Sequence, residues 1–155
     1  MFVYTVAQGT AANFTCAAAN TEGGVFSCKP GARNLRWQSM SVIGKASQLT
    51  SISGICIRLM MVTTASTGGS AAVASPKKVG GLAATQTPLY NQTISSTGRT
   101  NHGSFGCGAA GPGGWVCPNE DSMPELAGSS AGSIDTICVS GTASLTFEAT
   151  QETCE

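Results

Sequence analysis

The sequence predicts an all-β protein, a single-domain β-sandwich of the jelly-roll type with about 8–10 short antiparallel strands and little or no helix. Three observations favour this fold. Short apolar and β-branched runs recur along the chain, and Gly-, Ser-, Thr- and Pro-containing turn signals separate them at sandwich-like spacing. Residues that favour long helices are scarce, with four Lys and six Glu. At 155 residues the chain can build one core, so we expect residues 1–155 to form one domain.

The first half of the chain supplies the clearest strands, at 2–7, 25–28, 34–43 and 54–64, with a weaker one at 13–19. Residues 34–43 alternate, which puts on one predicted face Leu35, Trp37, Ser39, Ser41 and Ile43. Residues 54–64 form a near-continuous apolar run, GICIRLMMVTT. Its β-branched residues favour a central strand covered on both faces over a helix of equal length.

The second half holds shorter candidates, at 71–75, 92–96, 102–106 and 115–117. The last two strands are predicted at 134–140 and 143–150, as a hairpin across Ser140-Gly141. No repeat or linker divides the chain.

Charge is sparse and unevenly distributed. Residues 1–100 hold all eight Lys and Arg with one acid, a net charge of +7, whereas residues 101–155 hold seven acids and no Lys or Arg, a net charge of −7. Either the fold mixes the two halves, or the particle is bipolar and docks electrostatically on a partner. The largest basic cluster is Lys77-Lys78, so nucleic-acid binding is not predicted.

The seven cysteines are an odd number without a Cys-x-x-Cys motif. The opening residues carry no signal-peptide pattern, and no apolar stretch approaches the ~20 residues that span a bilayer. We therefore expect synthesis in a reducing cytoplasm, with free and packed thiols. If bridges form after release into an oxidising medium, the expected pairs are Cys107 with Cys117 and Cys16 with Cys28, because each pair flanks a Gly-containing loop.

Residues for catalysis are almost absent. His102 is the one histidine and lies in a polar, Gly-rich stretch without a nucleophile elbow, so neither catalysis nor a zinc site is predicted. Glu120-Asp121 reads as an exposed turn rather than an acid–base pair. The Gly-Gly segments lack phosphate-loop spacing. The sequence thus predicts no enzyme and no catalytic, cofactor-binding or metal-binding residue.

Three segments form a further pattern. They are the opening Met1-Phe-Val-Tyr-Thr-Val, residues 55–78 (ICIRLMMVTTASTGGSAAVASPKK), and the stretch from Gly114-Trp-Val-Cys-Pro through Glu125-Leu-Ala-Gly-Ser-Ser-Ala-Gly-Ser-Ile to Ser144-Leu-Thr-Phe-Glu. Together they resemble small jelly-roll structural proteins of tailed bacteriophages, the capsid cement or decoration proteins. The likeness covers about half of the chain. The cysteines and the Gly-rich loop at 108–114 depart from the pattern.

The resemblance implies a viral structural protein, a homotrimer on the outer surface of a phage capsid that stabilises junctions between coat subunits. Its partners would be the major capsid protein and further copies of itself, with no nucleic acid, membrane or cofactor. Synthesis would occur in the host cytoplasm and the final location would be the virion exterior. The expected interface residues are Arg58, Lys77, Lys78 and Trp115, with Arg58 either an ordinary sheet-face arginine or a partner for an acid of the C-terminal half across a subunit interface. Residues 8–30 match no part of this pattern, and we expect them to form either a capsid-gripping arm or an extended N-terminal segment.

Two other functions stay open on the same scaffold. One is a head-fibre or tail adhesin module that binds a host surface or a glycan, for which the candidate aromatic residues are Trp37, Trp115 and the two tyrosines. The other is a secreted, disulfide-stapled adhesion or filament subunit, which would require a removed leader.

Overall fold

The computed structural model describes residues 1–7, 14–16, 21–44, 54–108, 112–140 and 145–155, without the side chains of residues 44, 107, 108, 140 and 145. Thirteen strands lie in these ranges: β1 Val3–Ala7, β2 Phe14–Cys16, β3 Gly23–Lys29, β4 Leu35–Gly44, β5 Gly54–Val62, β6 Ser70–Ala71, β7 Val73–Pro76, β8 Thr87–Tyr90, β9 Thr100–Gly108, β10 Pro112–Val116, β11 Glu125–Leu126, β12 Ser133–Ser140 and β13 Leu145–Cys154. One 3₁₀ turn, Glu120–Ser122, is the helical element of the described residues. The prediction of an all-β protein with little helix is confirmed.

The strands form two antiparallel sheets. Sheet A has the order β10-β4-β13-β1-β7, with β11 also pairing with β4 and β2 with β13. Sheet B has the order β6-β8-β3-β12-β5-β9. Side chains from both sheets meet in one apolar cluster, which confirms the predicted β-sandwich.

Eight of the strands have the strand order of a jelly roll. They are β1, β3, β4, β5, β9, β10, β12 and β13. Numbered one to eight along the chain, they are arranged 1-8-3-6 in sheet A and 2-7-4-5 in sheet B. Each strand therefore lies at the same position in its sheet as a sequence neighbour in the other sheet. Strands β7 and β8 follow the same rule and extend the same side of both sheets.

Aromatic and aliphatic side chains fill the space between the sheets. Phe14 lies at the centre, stacked on Phe147 at 5.4 Å and edge-on to Phe26 at 5.1 Å between ring centroids. Burying each such ring stabilises the fold by about 2–3 kcal/mol. Trp37 is also fully buried, and its indole N–H donates to Gln151 at 3.3 Å. The sheets are thus held in register by packing and by a buried polar contact.

A bulge in β4 reverses the predicted facing of half of that strand. Glu152 pairs with Ser39 and Thr153 with Trp37, so Gln38 is an extra residue. One extra residue sends every following side chain to the opposite face. The prediction that Ile43 shares a face with Leu35 and Trp37 is therefore wrong, because Ile43 points outward and is 55 % exposed.

Two other strand predictions are wrong. Strands β12 and β13 do not pair as a hairpin, because they belong to different sheets and cross from one side of the sandwich to the other. Residues 141–144 of that connection lie outside the described residues. Residues 92–96 form only an isolated bridge at Thr93, whereas the strand lies at Thr87–Tyr90, where Pro88 weakened the sequence signal.

The predicted arm at 8–30 is wrong for the residues that the structure describes. Strand β2 pairs with β13, and β3 lies inside sheet B between β8 and β12. Burial of Val25 and Phe26 in the core explains why this segment is fixed in the sandwich. Residues 8–13 and 17–20 lie outside the described residues. Within the described part of the chain, no helix is long and apolar enough to cross a membrane.

Candidate functional site

The outer face of sheet B is covered by two loops of the chain itself, at 63–69 and 91–99. The backbones of Thr67 and Thr93 bond to each other in both directions, at 3.3 and 2.8 Å. Ala65 N–H donates to the carbonyl of Ala131 at 2.8 Å. These bonds hold both loops against the central strands of the sheet, whereas Ser104 and Gly106 on the outward side of the edge strand β9 are exposed.

Asp135 anchors these loops from below. Its core-side neighbours on β12 are Ile134 and Thr136, so its own side chain points to the outer face, where it is 0 % exposed. Ser66 and Ser133 donate hydroxyl hydrogen bonds to the carboxylate, the latter at 2.7 Å. Ser95 N–H in turn donates to Ser66 Oγ at 2.8 Å. A buried carboxylate needs such donors, and this network joins both loops to the sheet.

Arg58 is also used within the chain. Glu22 accepts from Arg58 Nη1 at 3.2 Å and from Arg99 Nη2 at 2.7 Å, so one carboxylate bridges two arginines over sheet B. Within the chain Arg58 thus pairs with an acid of the N-terminal half, and the pair expected across a subunit interface stays a prediction. The plainer alternative of a partly exposed arginine on a sheet face fits, since 41 % of its side chain is exposed.

The outer face of sheet A, which we call the open face, has a different character. It consists of the outward side chains of β1, β4, β7, β10 and β13. Most are small: Thr5, Ala7, Ser39, Ser41, Ser75, Gly114 and Thr150. Three larger apolar side chains stand among them, Ile43 at 55 %, Val73 at 52 % and Val116 at 62 % exposure. Glu148 and Glu152 of the central strand β13 also point outward, so the surface combines hydroxyl groups, exposed apolar atoms and two carboxylates.

The two predicted interface lysines lie at the border of the open face. Lys77 Nζ forms an ion pair with Glu152 of β13. Lys78 is exposed and lines a surface groove of about 490 Å³ with Met1 and Phe2. Both lysines therefore lie on the sheet A side of the molecule, whereas Arg58 lies on sheet B.

Trp115, the remaining predicted interface residue, packs into the sandwich. Its ring lies 5.5 Å from that of Trp37, between centroids, and covers Gly103 of β9. A Cβ atom at position 103 would lie 2.1 Å from the indole. The indole therefore closes the sandwich between its edge strands β9 and β10, and the open face gains no aromatic side chain from it.

The disulfide expected between Cys16 and Cys28 under oxidising conditions does not fit the fold, because the two thiols lie too far apart. Cys16 meets Cys138, which pairs with Gly23 at the start of β3. Cys28 lies on β3 five residues after Gly23, which places it about 16 Å from Gly23 at the usual rise per residue. There it accepts from Gln151 Nε2 at 3.0 Å, and burial raises its pKa to about 12.

For the other expected pair, Cys107 with Cys117, the structure describes the side chain of Cys117 alone. Cys117 is a free and buried thiol, and burial raises its pKa. The side chain of Cys107 lies outside the described residues.

The fold mixes the charges of the two halves of the chain. Arg33 pairs with Glu155 at 3.2 Å, and Arg36 with Glu125 at 2.6 Å. The Arg36 hydrogen bond, helped by Asn34, lowers the pKa of Glu125. These pairs join the basic first hundred residues to the acidic remainder, so the charge asymmetry of the sequence is largely neutralised within the molecule instead of producing two poles.

The groups considered for catalysis are not assembled into a site. His102 is exposed on the edge strand β9, and Glu120 and Asp121 are exposed in the 3₁₀ turn. Across the described ranges, no three His, Cys, Asp or Glu side chains come together as metal ligands would. Comparison with protein-family models, curated proteins and solved structures gives no match for this chain. The strongest candidate for function is therefore the open face.

Sequence reasoning missed the residues that define this face. Ile43 was assigned to the wrong side because the bulge at Gln38 carries no strong sequence signal. Val116 and Val73 lie in short, Pro-flanked stretches whose facing cannot be read from alternation. The exposed Ser and Thr of β4 and β13 were visible as a hydroxyl-rich pattern, and they could have suggested an outward surface.

Proposed function

We propose that this protein is a viral structural protein, a trimeric cement or decoration protein that binds the outside of a phage capsid and stabilises the junctions between coat subunits. Its partners are further copies of itself and the major capsid protein. It performs no catalysis and takes no cofactor. It is made in the host cytoplasm and ends on the virion exterior.

The open face is the observation that carries this proposal. A flat sheet surface with small side chains allows another backbone to approach closely, and sheets pack about 10 Å apart when they meet face to face. Ile43, Val73 and Val116 supply the apolar area that association in water requires. Two loops of the chain cover the central strands of sheet B on its outer face, which favours the open face for contact with another protein.

Binding through three copies at once explains how a surface of modest area would be sufficient to hold the protein on a capsid. A standard protein interface buries about 1,600 Å² in total, and area alone does not fix its affinity. When three joined copies engage neighbouring coat subunits, the second and third contacts are intramolecular and avidity rises well above the affinity of one contact. The scarcity of reactive groups in the sequence supports a role in binding over catalysis.

The adhesin alternative gains less support. Glycan-binding sites favour exposed aromatic platforms, and here Trp37 is fully buried while Trp115 packs against it. Tyr4 is also fully buried, and its hydroxyl is engaged by Arg33 and the Leu82 carbonyl. Glycan binding is therefore an outcome that would count against the proposal in the experiment below.

The test uses shells assembled from the major capsid protein encoded in the same genome. We expect the purified protein to have the mass of a trimer by light scattering and to co-sediment with these shells. Val116→Lys, on the open face, should abolish co-sedimentation. Val79→Lys is the matched control, because Val79 is fully exposed outside that face, and it should leave binding unchanged. A monomer that ignores the shells, or one that binds a glycan array, would refute the proposal.

A further inference from the structure

Two thiols from opposite sheets meet inside the sandwich. Cys16 lies on β2 of sheet A and Cys138 on β12 of sheet B, and both side chains are buried. They are hydrogen-bonded to each other. The two positions are far apart in sequence, so the juxtaposition is created by the fold alone.

The surrounding strands fix this juxtaposition. Cys138 lies on a strand paired on both sides, opposite Gly23 of β3 and Ile57 of β5. A Cβ atom at position 23 would lie 3.1 Å from the Cys138 sulfur, so the glycine provides the space that this sulfur occupies. Cys16 pairs with Leu145 at the start of β13. Paired strands thus place both cysteines, and the cystine would need a sulfur–sulfur bond of about 2.05 Å.

The other buried thiols have different neighbours. Cys28 accepts from Gln151 at 3.0 Å, and Cys154 lies 3.1 Å from the Gln38 side-chain oxygen. An amide neighbour offers no sulfur for exchange. These two cysteines therefore serve as internal controls in the same protein.

We propose that Cys16 and Cys138 form a disulfide that joins the two sheets when the protein meets a low-molecular-weight disulfide such as oxidised glutathione. The Cys16 thiolate attacks one sulfur of the oxidant, which gives a mixed disulfide and releases one thiol. The Cys138 thiolate then displaces the second thiol. Overall, two cysteine thiols and one oxidant disulfide give the cystine and two small thiols, a two-electron transfer.

Cys16 is the favoured attacking sulfur for two reasons. The hydrogen bond from Cys138 lowers the pKa of Cys16, which favours Cys16 as the thiolate. Among the described residues, strand β2 pairs with β13 through three residue pairs and with no other strand, so opening this part of it breaks few ladder bonds. Such local opening gives the oxidant access without unfolding the sandwich. The inference is independent of the proposed function.

The bond would make the protein more stable under oxidising conditions. It closes a loop of more than a hundred residues, and cross-linking so long a loop restricts the unfolded chain strongly. We expect Tm to rise by roughly 5–15 °C on oxidation, and to return when dithiothreitol is added.

The experiment compares the full chain reduced and after incubation with oxidised glutathione. Non-reducing peptide mapping should show a linked pair of peptides that contain Cys16 and Cys138. Cys138→Ala should remove both the linked pair and the gain in Tm, whereas Cys28→Ala should keep both. If the variants fold poorly, mapping of the wild-type protein still decides. Free thiols at 16 and 138 after oxidation, a glutathione adduct without the link, or a link to another cysteine would each overturn the proposal.

Discussion

The carboxylate of Glu155 offers a sharp test of how the edge of the sandwich is held. It is 1 % exposed and accepts the backbone N–H groups of Thr85 and Gln86, the latter at 2.7 Å. The Thr85 hydroxyl at 3.1 Å and Arg33 at 3.2 Å complete the set. These contacts tie the segment before β8 in sheet B to the end of β13 in sheet A, so they link the two sheets directly.

Glu155→Gln keeps the size of the side chain but replaces one acceptor oxygen with an NH₂ donor. Whichever way the amide turns, a donor then faces Arg33 or the backbone N–H groups of Thr85 and Gln86. A hydrogen bond to a charged group contributes about 1.5–3 kcal/mol, and a buried donor without an acceptor costs about 1–3 kcal/mol. Since Arg33 is partly exposed, we expect the free energy of unfolding to fall by about 2–3 kcal/mol.

Urea unfolding and calorimetry measure this change, which corresponds to a fall in Tm of about 4–12 °C for a chain of this size. Glu120→Gln is the matched control. Glu120 is 61 % exposed and 3.5 Å from Arg36, so its replacement should cost under about 0.5 kcal/mol. Amide exchange at Gln86 should speed up in the Glu155 variant alone. Equal stabilities for the two variants would refute the reasoning.

Two further predictions concern packing and pH. Gly103→Ala should destabilise the protein by about 2 kcal/mol or more, because φ at this residue is +155° and the new methyl group would overlap Trp115. Gly106→Ala on the same strand is the control and should cost less, because a Cβ atom there meets its nearest atom at 3.7 Å. Equal urea midpoints for the two variants would contradict this prediction. Glu125→Gln should lower Tm slightly at neutral pH, because exposed ion pairs contribute little to stability. Arg36 lowers the folded-state pKa of Glu125, so the stabilisation is complete above the ordinary pKa of 4.5 and is lost as pH falls through the folded-state pKa. A difference in Tm between wild type and Glu125→Gln that persists in acid would exclude this mechanism.

The sequence was sufficient for the fold class because the strand and turn signals are local. Runs such as 54–64 were recognised from their β-branched residues, and the jelly roll then followed from strand number and a family likeness. Pairing partners were not accessible, because they depend on contacts between distant segments. The supposed hairpin of β12 and β13 shows this limit: a short connection looks the same whether it turns within one sheet or crosses to the other.

The candidate site was harder to predict than the fold. A single extra residue at Gln38 moves Ile43 to the face opposite Leu35 and Trp37, and no pattern in the sequence marks that bulge. Trp115 was expected at an interface, but a glycine at 103 lets its ring pack against the core. Cysteine pairing failed for the same reason, since proximity in sequence does not decide which strands face each other.

The contrast between the two outer faces also bears on how a partner would be recognised. Five of the basic side chains, those of Arg33, Arg36, Arg58, Lys77 and Arg99, are already in ion pairs within the chain. Long-range steering by net charge is therefore weak, and association through the open face would depend on shape and apolar burial. Such binding changes little with ionic strength, because salt screens charges and not apolar contacts. A steep loss of binding at moderate salt would instead assign the contact to charged groups, either the lysines that border the open face or Glu148 and Glu152 of β13.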